Sequence, residues 1–336
     1  MLIVHITNTD PAGSVYNFVR AMNEHTEHTA RMISTHAIPG FDFPKDIMDI
    51  FDGGDEIEAL LKKADVIHFH KTDDSFNIEL ALEKTPRIFQ LSDYTKGKKV
   101  VHHIHGAPYE RANPKEEAEK YAKTGNLVLC STPDLEEMYK AHYSRVQYFP
   151  NCVPINDVKY LPRATDEPLT GADGVTKRYC IFQSGTHSVL KNTHIIRDVM
   201  DKLAVELPIF FLHTTPENIQ SQDMTLRHKR VAHVVFDHIE GYYGLSSLEG
   251  LSMGKPTIAG LSDYTMNAIC QFFNVKPSDL PWIIAKDAAE IESKIRALIA
   301  SEGWRTEVGE KSRKFMQEVW SDAAIAKRLA DIYQSL

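Results

Sequence analysis

Short apolar runs alternate along the chain with stretches of helical period, the pattern of parallel strands covered by helices. Residues 3–7 read as a first strand. The turn Asn8-Thr9-Asp10-Pro11-Ala12-Gly13-Ser14 follows, then Val15, Phe18, Val19 and Met22 at helical spacing. Residues 65–69, 100–104, 127–130 and 146–149 read as further strands with helices between them. In the helix over 133–141, Asp134 and Glu136 suit the first turn. After Pro150 the pattern breaks. Residues 154–176 hold Pro154, Pro162, Pro168, Gly171 and Gly174 among few apolar clusters and read as an interdomain connection. The alternation then restarts, with strands at 179–182, 209–213, 231–236 and 257–259 and helices at 193–206 and 244–253. From residue 288 the chain reads as helical, with Trp304, Phe315 and Trp320 as packing anchors. Two α/β units joined by one linker are expected.

A length of 336 residues suits two domains. Hydrophobic residues at 43% and charged residues at 25% exclude a disordered chain, a collagen-like fibre and a disulfide-dense miniprotein. No apolar run approaches the ~18 residues of a membrane span. The start, Met1-Leu2-Ile3-Val4-His5, lacks the basic region of a signal peptide. Cys130, Cys152, Cys180 and Cys270 are scattered without a C-x-x-C, as unpaired thiols of a reducing compartment would be. A cytoplasmic protein, at most peripheral at a membrane, is expected. The net charge of −8 argues against a chain built chiefly to grip duplex DNA.

The most informative segment runs from Phe236 to Ala259: a strand, the loop Asp237-His238-Ile239-Glu240-Gly241-Tyr242-Tyr243-Gly244, a short helix, a glycine stop and a strand. Gly244 lets the loop approach a ligand closely. Leu245, Ser246 and Ser247 lie at the helix start, where free N–H groups and the helix dipole favour an anion such as a diphosphate. Glu249, about one turn on, can accept hydrogen bonds from the two hydroxyls of a ribose. Spacing alone leaves open a plain helix–strand corner with a capping serine.

The segment resembles the nucleotide-sugar site of retaining glycosyltransferases with the GT-B fold, above all the family-four group (glycosyl transferases group 1). Tyr243-Gly244, Leu248-Glu249-Gly250 and Gly254-Lys255-Pro256-Thr257-Ile258 stand where that family carries a Tyr/Phe-Gly loop, a Leu-Glu-Ala helix and Gly-x-Pro-Val-Ile. Further segments fit in order. Gly185-Thr186 and Lys191 match the Gly-Arg-x-x-x-x-Lys loop, Pro150-Asn151 the Pro-Asn before the linker, and Asp65-Val66-Ile67-His68-Phe69-His70 and Val101-His102-His103-Ile104-His105-Gly106 two strands of the first domain. The resemblance implies two Rossmann-like, doubly wound domains facing across a cleft. Residues 1–153 would present the acceptor, 154–176 would link, 177–320 would hold the nucleotide sugar, and a last helix at 321–336 would cross back. It implies a donor site of Gly185, Thr186, Lys191, Tyr243, Gly244, Leu245, Ser246 and Glu249, with a uridine rather than a guanosine diphosphate. Lys191 would neutralise phosphate and His105 would face the sugar. The first glutamate of the family's pair would fall on Gly241, so Glu240, one step out of register, or Asp237 is left to contact the sugar. Thr186 stands where the family has arginine. The acceptor, whether saccharide, lipid-linked glycan, small molecule or modified nucleic-acid base, is open. A sugar-nucleotide epimerase and a donor-binding pseudoenzyme are the rival readings.

The chain has no Asp-x-Asp motif, so no cofactor and no metal at the diphosphate is expected. His68 with His70, and His103 with His105, each share a strand face, and facing pairs of that kind hold zinc in other proteins. No Cys or carboxylate completes a ligand pattern, and polar residues collect at strand ends in any case, so no metal is expected there either. Ala12 and Gly13, in the turn after the first strand, read as an acceptor or phosphate loop or as an ordinary turn with Ser14 near the helix cap. Residues 38–55 read equally as an acceptor loop or a variable surface excursion.

Overall fold

A computed structural model describes residues 1–35, 48–49, 54–80, 87–163, 165–185, 191–214 and 221–336. Thr186 and most of the 38–55 segment lie outside the described residues. The chain forms two compact units, Met1–Cys152 with Asp322–Leu336, and Val153–Ser321.

The first unit runs β1 (Leu2–Thr7), α1 (Ser14–His25), β2 (Thr29–Ser34), β3 (Met48–Asp49), α2 (Gly54–Lys63), β4 (Val66–His70), β5 (Asn77–Leu80), β6 (Arg87–Gln90), α3 (Leu91–Thr95), β7 (Lys99–Ile104), α4 (Pro108–Ala112), α5 (Pro114–Thr124), β8 (Leu127–Cys130), α6 (Pro133–Lys140) and β9 (Val146–Tyr148). Among the described residues the main sheet has the order β3-β2-β1-β4-β7-β8-β9, every pair parallel, and β5 with β6 forms a separate antiparallel ribbon. Ile3, Val4 and Ile6 of β1 and all of β4 are buried, as strands covered on both faces must be. The winding reverses between β1 and β4. In open parallel sheets that reversal leaves a crevice at the strand carboxyl ends, where ligands bind.

The second unit holds β10 (Leu169–Thr170), β11 (Lys177–Gln183), α7 (Thr193–Glu206), β12 (Ile209–His213), α8 (Gln222–Val231), β13 (Val234–Phe236), α9 (Leu245–Ser252), β14 (Thr257–Ala259), α10 (Asp263–Phe273), β15 (Ile283–Ile284), α11 (Ala288–Ala300) and α12 (Glu302–Glu318). Its parallel strands lie in the order β12-β11-β13-β14-β15, with β10 added antiparallel on β11. The reversal here falls between β11 and β13. Ile196, Val199, Met200 and Leu203 put one apolar stripe of α7 into the core. The strand expected from residue 231 starts only at Val234, because α8 keeps its helical turn through Val231. The expected linker is partly ordered: Val158–Tyr160 forms a 3-10 turn, and β10 pairs with β11. Trp320 and Phe315 anchor an aromatic cluster with Tyr243, Phe273 and Trp282. The last helix, α13 (Asp322–Ser335), belongs to the first unit and packs on α1.

The Gly-x-Pro part of the informative segment is a helix stop. Gly254 is left-handed at φ 65°, and the amides of Gly254 and Lys255 bond the carbonyls of Leu251 and Gly250 at 3.0 Å each. Lys255 is carried inside, 8% exposed, with Asp166, Arg163, Arg230 and Cys180 facing it. Burial, only partly offset by Asp166, lowers its pKa to about 8. The unfolded chain holds that proton up to the usual value of 10.5, so it binds more protons than the folded chain between about 8 and 10.5, and unfolding free energy climbs through that window. Lys255→Met is therefore expected to be more stable than the parent at pH 7, by about 1–3 kcal/mol. Denaturant titrations should show the gap closing as pH rises from 8 towards 10.5; a gap that ignores pH refutes the buried charge.

Candidate functional site

At the reversal of the second unit, β11 and β13 end side by side on Gln183 and Phe236. Gln183 ties the two exits together: its Nε2 donates to the Asp237 carbonyl at 2.7 Å and to the Lys191 carbonyl at 2.8 Å. Asp237 is fully buried. It pairs with the Lys191 ammonium and accepts from the Gly244 amide at 2.5 Å and the Ser247 hydroxyl at 2.7 Å. Burial pushes its pKa up, but Lys191, His238 and the Gly244 amide together outweigh that, and the net shift is downward. Asp237 is thus an ionised anchor that holds Lys191 against the start of α9. The Lys191 side chain keeps 18% exposure. By helix geometry the first amides of α9, at Leu245 and Ser246, have no intrahelical acceptor. Ser246 and Ser184 share a hydroxyl–hydroxyl bond of 3.0 Å beside them.

Gly185, Lys191, Glu240, Gly244, Leu245 and Ser246 therefore come together at the carboxyl edge of one sheet. Both glycines make room for Lys191. A Cβ on Gly185 would stand 2.8 Å from its Cγ, and one on Gly244 would stand 2.7 Å from its Nζ. Glu240 is exposed and accepts from the Asn192 amide, whose Oδ1 in turn accepts from the Ile239 N–H at 3.1 Å. Glu249 sits within α9, 5% exposed, paired with Lys229 of α8, itself 1% exposed.

Three expectations need correction. Tyr243 offers no side chain to a donor: its ring is 1% exposed, packed against Trp282 and Trp320. Asp237 cannot contact a sugar, because its two oxygens are taken inside the fold. The Ala12–Gly13 turn is no phosphate loop. Asp10 folds back over the start of α1, with Oδ2 2.9 Å from the Tyr16 amide and Oδ1 accepting from Ser14 at 3.2 Å. The chain's own carboxylate occupies the place an anion would take. The missing glutamate also has a local reason: Gly241 sits at φ 88°, a conformation L side chains rarely adopt. Sequence reasoning passed over the roles of Gln183, Asn192 and Lys229. Only the position of Gln183 at the end of β11 hinted at its role.

His105 lies in the first unit, just beyond β7, in a cluster the sequence showed only in part. Register sets His5 beside His68 and His70 beside His103, all on the face covered by α1. His5 Nδ1 is 2.9 Å from His70 Nε2, and His70 Nδ1 is 2.9 Å from His105 Nε2. His68 Nδ1 meets the Tyr333 hydroxyl of α13 at 2.6 Å, and His103 Nε2 donates to the Phe149 carbonyl at 3.2 Å. Burial drives the pKa of every ring down, to about 3 at His5 and His103, so the rings are neutral at pH 7. His5 Nε2, His68 Nε2, His103 Nδ1 and His105 Nδ1 are buried without a partner among the described residues. Each such group costs about 1–3 kcal/mol. Nearby, at the end of β4, Lys71, Asp73, Tyr109, Glu117 and Lys120 line a polar cavity of about 330 Å³.

No family model and no curated protein matches the sequence. Solved structures match nearly all of it. An alpha-glucosyltransferase in complex with UDP-glucose and DNA containing an abasic site superposes with a TM-score of 0.67 at 11% identity, over 99% of each chain. OtsA in its apo form gives 0.60 at 10% identity over 100% of both chains. The fold is GT-B. WaaG, a glycosyltransferase involved in lipopolysaccharide biosynthesis, has the same GT-B architecture, with a TM-score of 0.57 at 12% identity over 99% of both chains. On this GT-B frame the Lys191 cluster lies in the second unit and the histidine cluster in the first. No helix among the described residues is long and apolar enough to cross a membrane.

Proposed function

We propose that the protein transfers a sugar from a nucleoside-diphosphate sugar to an acceptor hydroxyl, with retention at the anomeric carbon. The observation that carries this reading is the Lys191 ammonium, fixed by buried Asp237 beside the first amides of α9 at the sheet's reversal point. As the glycosidic bond breaks, negative charge grows on the leaving diphosphate. A positioned ammonium and preorganised amides stabilise that charge most where it is greatest, in the transition state. Glu249 would take the donor ribose, and exposed Glu240 would approach the sugar. Lys191 and the helix start do the work of a divalent cation, so added Mg²⁺ or Mn²⁺ should leave the rate unchanged. UDP-glucose in the similar alpha-glucosyltransferase supports a uridine donor.

A panel of nucleotide sugars, followed first by thermal shift and then by release of the diphosphate, tests the reading. A true donor should raise Tm increasingly with its concentration. If none does, the reading fails; if donor alone yields an epimerised nucleotide, the epimerase reading replaces it. A second reading places the acceptor in DNA, supported by the DNA bound to similar alpha-glucosyltransferases, one of them on a 13-mer containing an HMU base. The net charge of −8 weighs against it. Sugar transfer onto hydroxymethylated DNA, set beside transfer onto glycan acceptors, separates the two.

A further inference from the structure

The histidine cluster lies in the first unit, and its geometry asks for something more. Three neutral imidazoles in a row carry three ring protons. The chain His5–His70–His105 uses two of them in its two 2.9 Å contacts. Whichever way the protons run, one N–H and one lone pair are left at the ends, at His5 Nε2 and His105 Nδ1, and neither meets a partner among the described residues. His103 is less ambiguous. Its Nε2 faces the Phe149 carbonyl and must carry the proton, so its buried, unpartnered Nδ1 is a lone pair. A histidine that donates one nitrogen to a carbonyl while the other stays buried without a partner has the arrangement of a metal ligand with its outer-shell partner. One ring nitrogen from each of His70, His103 and His105 lies within 4.8 Å of the others.

We propose that His70, His103 and His105 bind one divalent transition-metal ion, Zn²⁺, with His5 orienting His70. Imidazole nitrogens suit this class of ion, and three of them with an open fourth position make a tetrahedral site. Around a tetrahedral zinc, neighbouring nitrogens stand roughly 3.3 Å apart. The His70–His105 contact must therefore open by only a few tenths of an ångström. His5, His68 and His70 form a second group of the same span, but all three rings are wholly buried. His105, beyond the strand end and partly exposed, gives the first group an entry path. In the bound state His70 ligates through Nδ1 and donates Nε2–H to His5 Nδ1. His103 ligates through Nδ1, and the ion ties β4 to the exit of β7. Ligation replaces the sugar contact expected of His105. The proposal does not rest on the donor reading, since metal uptake is measured without any nucleotide.

The test uses the whole chain, stripped with a chelator, then titrated with Zn²⁺ against a chromophoric competitor and, separately, with Co²⁺. One ion per chain is expected, with the visible d–d bands of tetrahedral cobalt and, by X-ray absorption, a first shell of three imidazole nitrogens and one water oxygen. His105→Gln should lose the ion at least tenfold in affinity, and His5→Gln should weaken it about tenfold as an orienting residue. Exposed His142→Gln is the control and should change nothing. A parent chain that takes up no Zn²⁺ overturns the proposal. So does a His105→Gln chain of parental affinity, or an octahedral, oxygen-ligated ion in the parent. The two readings on the parent chain need no variant to fold.

Discussion

Lys191→Ala is expected to lower turnover at saturating donor by roughly 10²–10³-fold, the usual cost of removing one preorganised donor from a developing negative charge. The same change removes the cation that holds buried Asp237 ionised. Breaking a buried pair by taking one partner away costs about 3–5 kcal/mol, and the partial exposure of Lys191 places this pair at the low end. A poorly folded variant would mimic a catalytic defect, so the single change cannot be read alone. Lys191→Ala combined with Asp237→Asn separates the two effects. The amide keeps an acceptor for the Gly244 N–H and the Ser247 hydroxyl and leaves no uncompensated charge. The double variant should regain most of the lost stability and none of the lost turnover. Parental turnover in that folded double variant would sink the phosphate role of Lys191. Recovery of stability without recovery of rate is what a ligand-facing ammonium predicts.

The contrast between Lys191 and its anchor shows what a linear reading can reach. Two units of covered parallel sheet were legible, because alternation of apolar runs and helical stretches reports that arrangement directly; the GT-B class came from the motif resemblance. Gly244 and the start of α9 were legible from spacing as a glycine loop before a helix, while Lys191 joined them only through the resemblance. The counter-charges were not. Asp237 follows a strand and looks like any strand-end acid; only the approach of Lys191 across 46 positions of sequence gives it a task. Asp10 sits in a turn that composition makes attractive for phosphate, yet it caps its own helix. Tyr243 belongs to the resemblance motif, but its ring fills the space between Trp282 and Trp320. For the histidines, strand alternation shows the pairs His68/His70 and His103/His105. The register of β1 against β4 brings His5 to them, and register is a property of the folded sheet.

The second large effect is expected at Lys229, which carries no motif at all. Its side chain is 1% exposed, on α8, and its ammonium meets Glu249 on α9. Taking either charge out of water is costly, and the pair persists only because each offsets the other. Lys229→Met should therefore destabilise the protein by about 3–5 kcal/mol, leaving Glu249 buried, charged and unpaired. Lys229→Met with Glu249→Gln should restore most of that, because a neutral amide beside an apolar chain carries no net charge to desolvate. Chemical denaturation of the three variants measures this directly. Additivity of the two single changes would refute the coupling, since groups that interact directly must show a non-zero interaction energy. The same variants inform the donor reading. If Glu249 takes the ribose hydroxyls, Glu249→Gln alone should weaken nucleotide binding about tenfold or more, the difference between a charged and a neutral acceptor, beside a loss of stability like that of Lys229→Met, because the Lys229 ammonium is left buried and unpaired. The double variant should share that weakened binding despite its recovered stability. Parental nucleotide affinity in both would leave Glu249 as a purely structural partner of Lys229, and would shift the ribose contact elsewhere along the loop before α9.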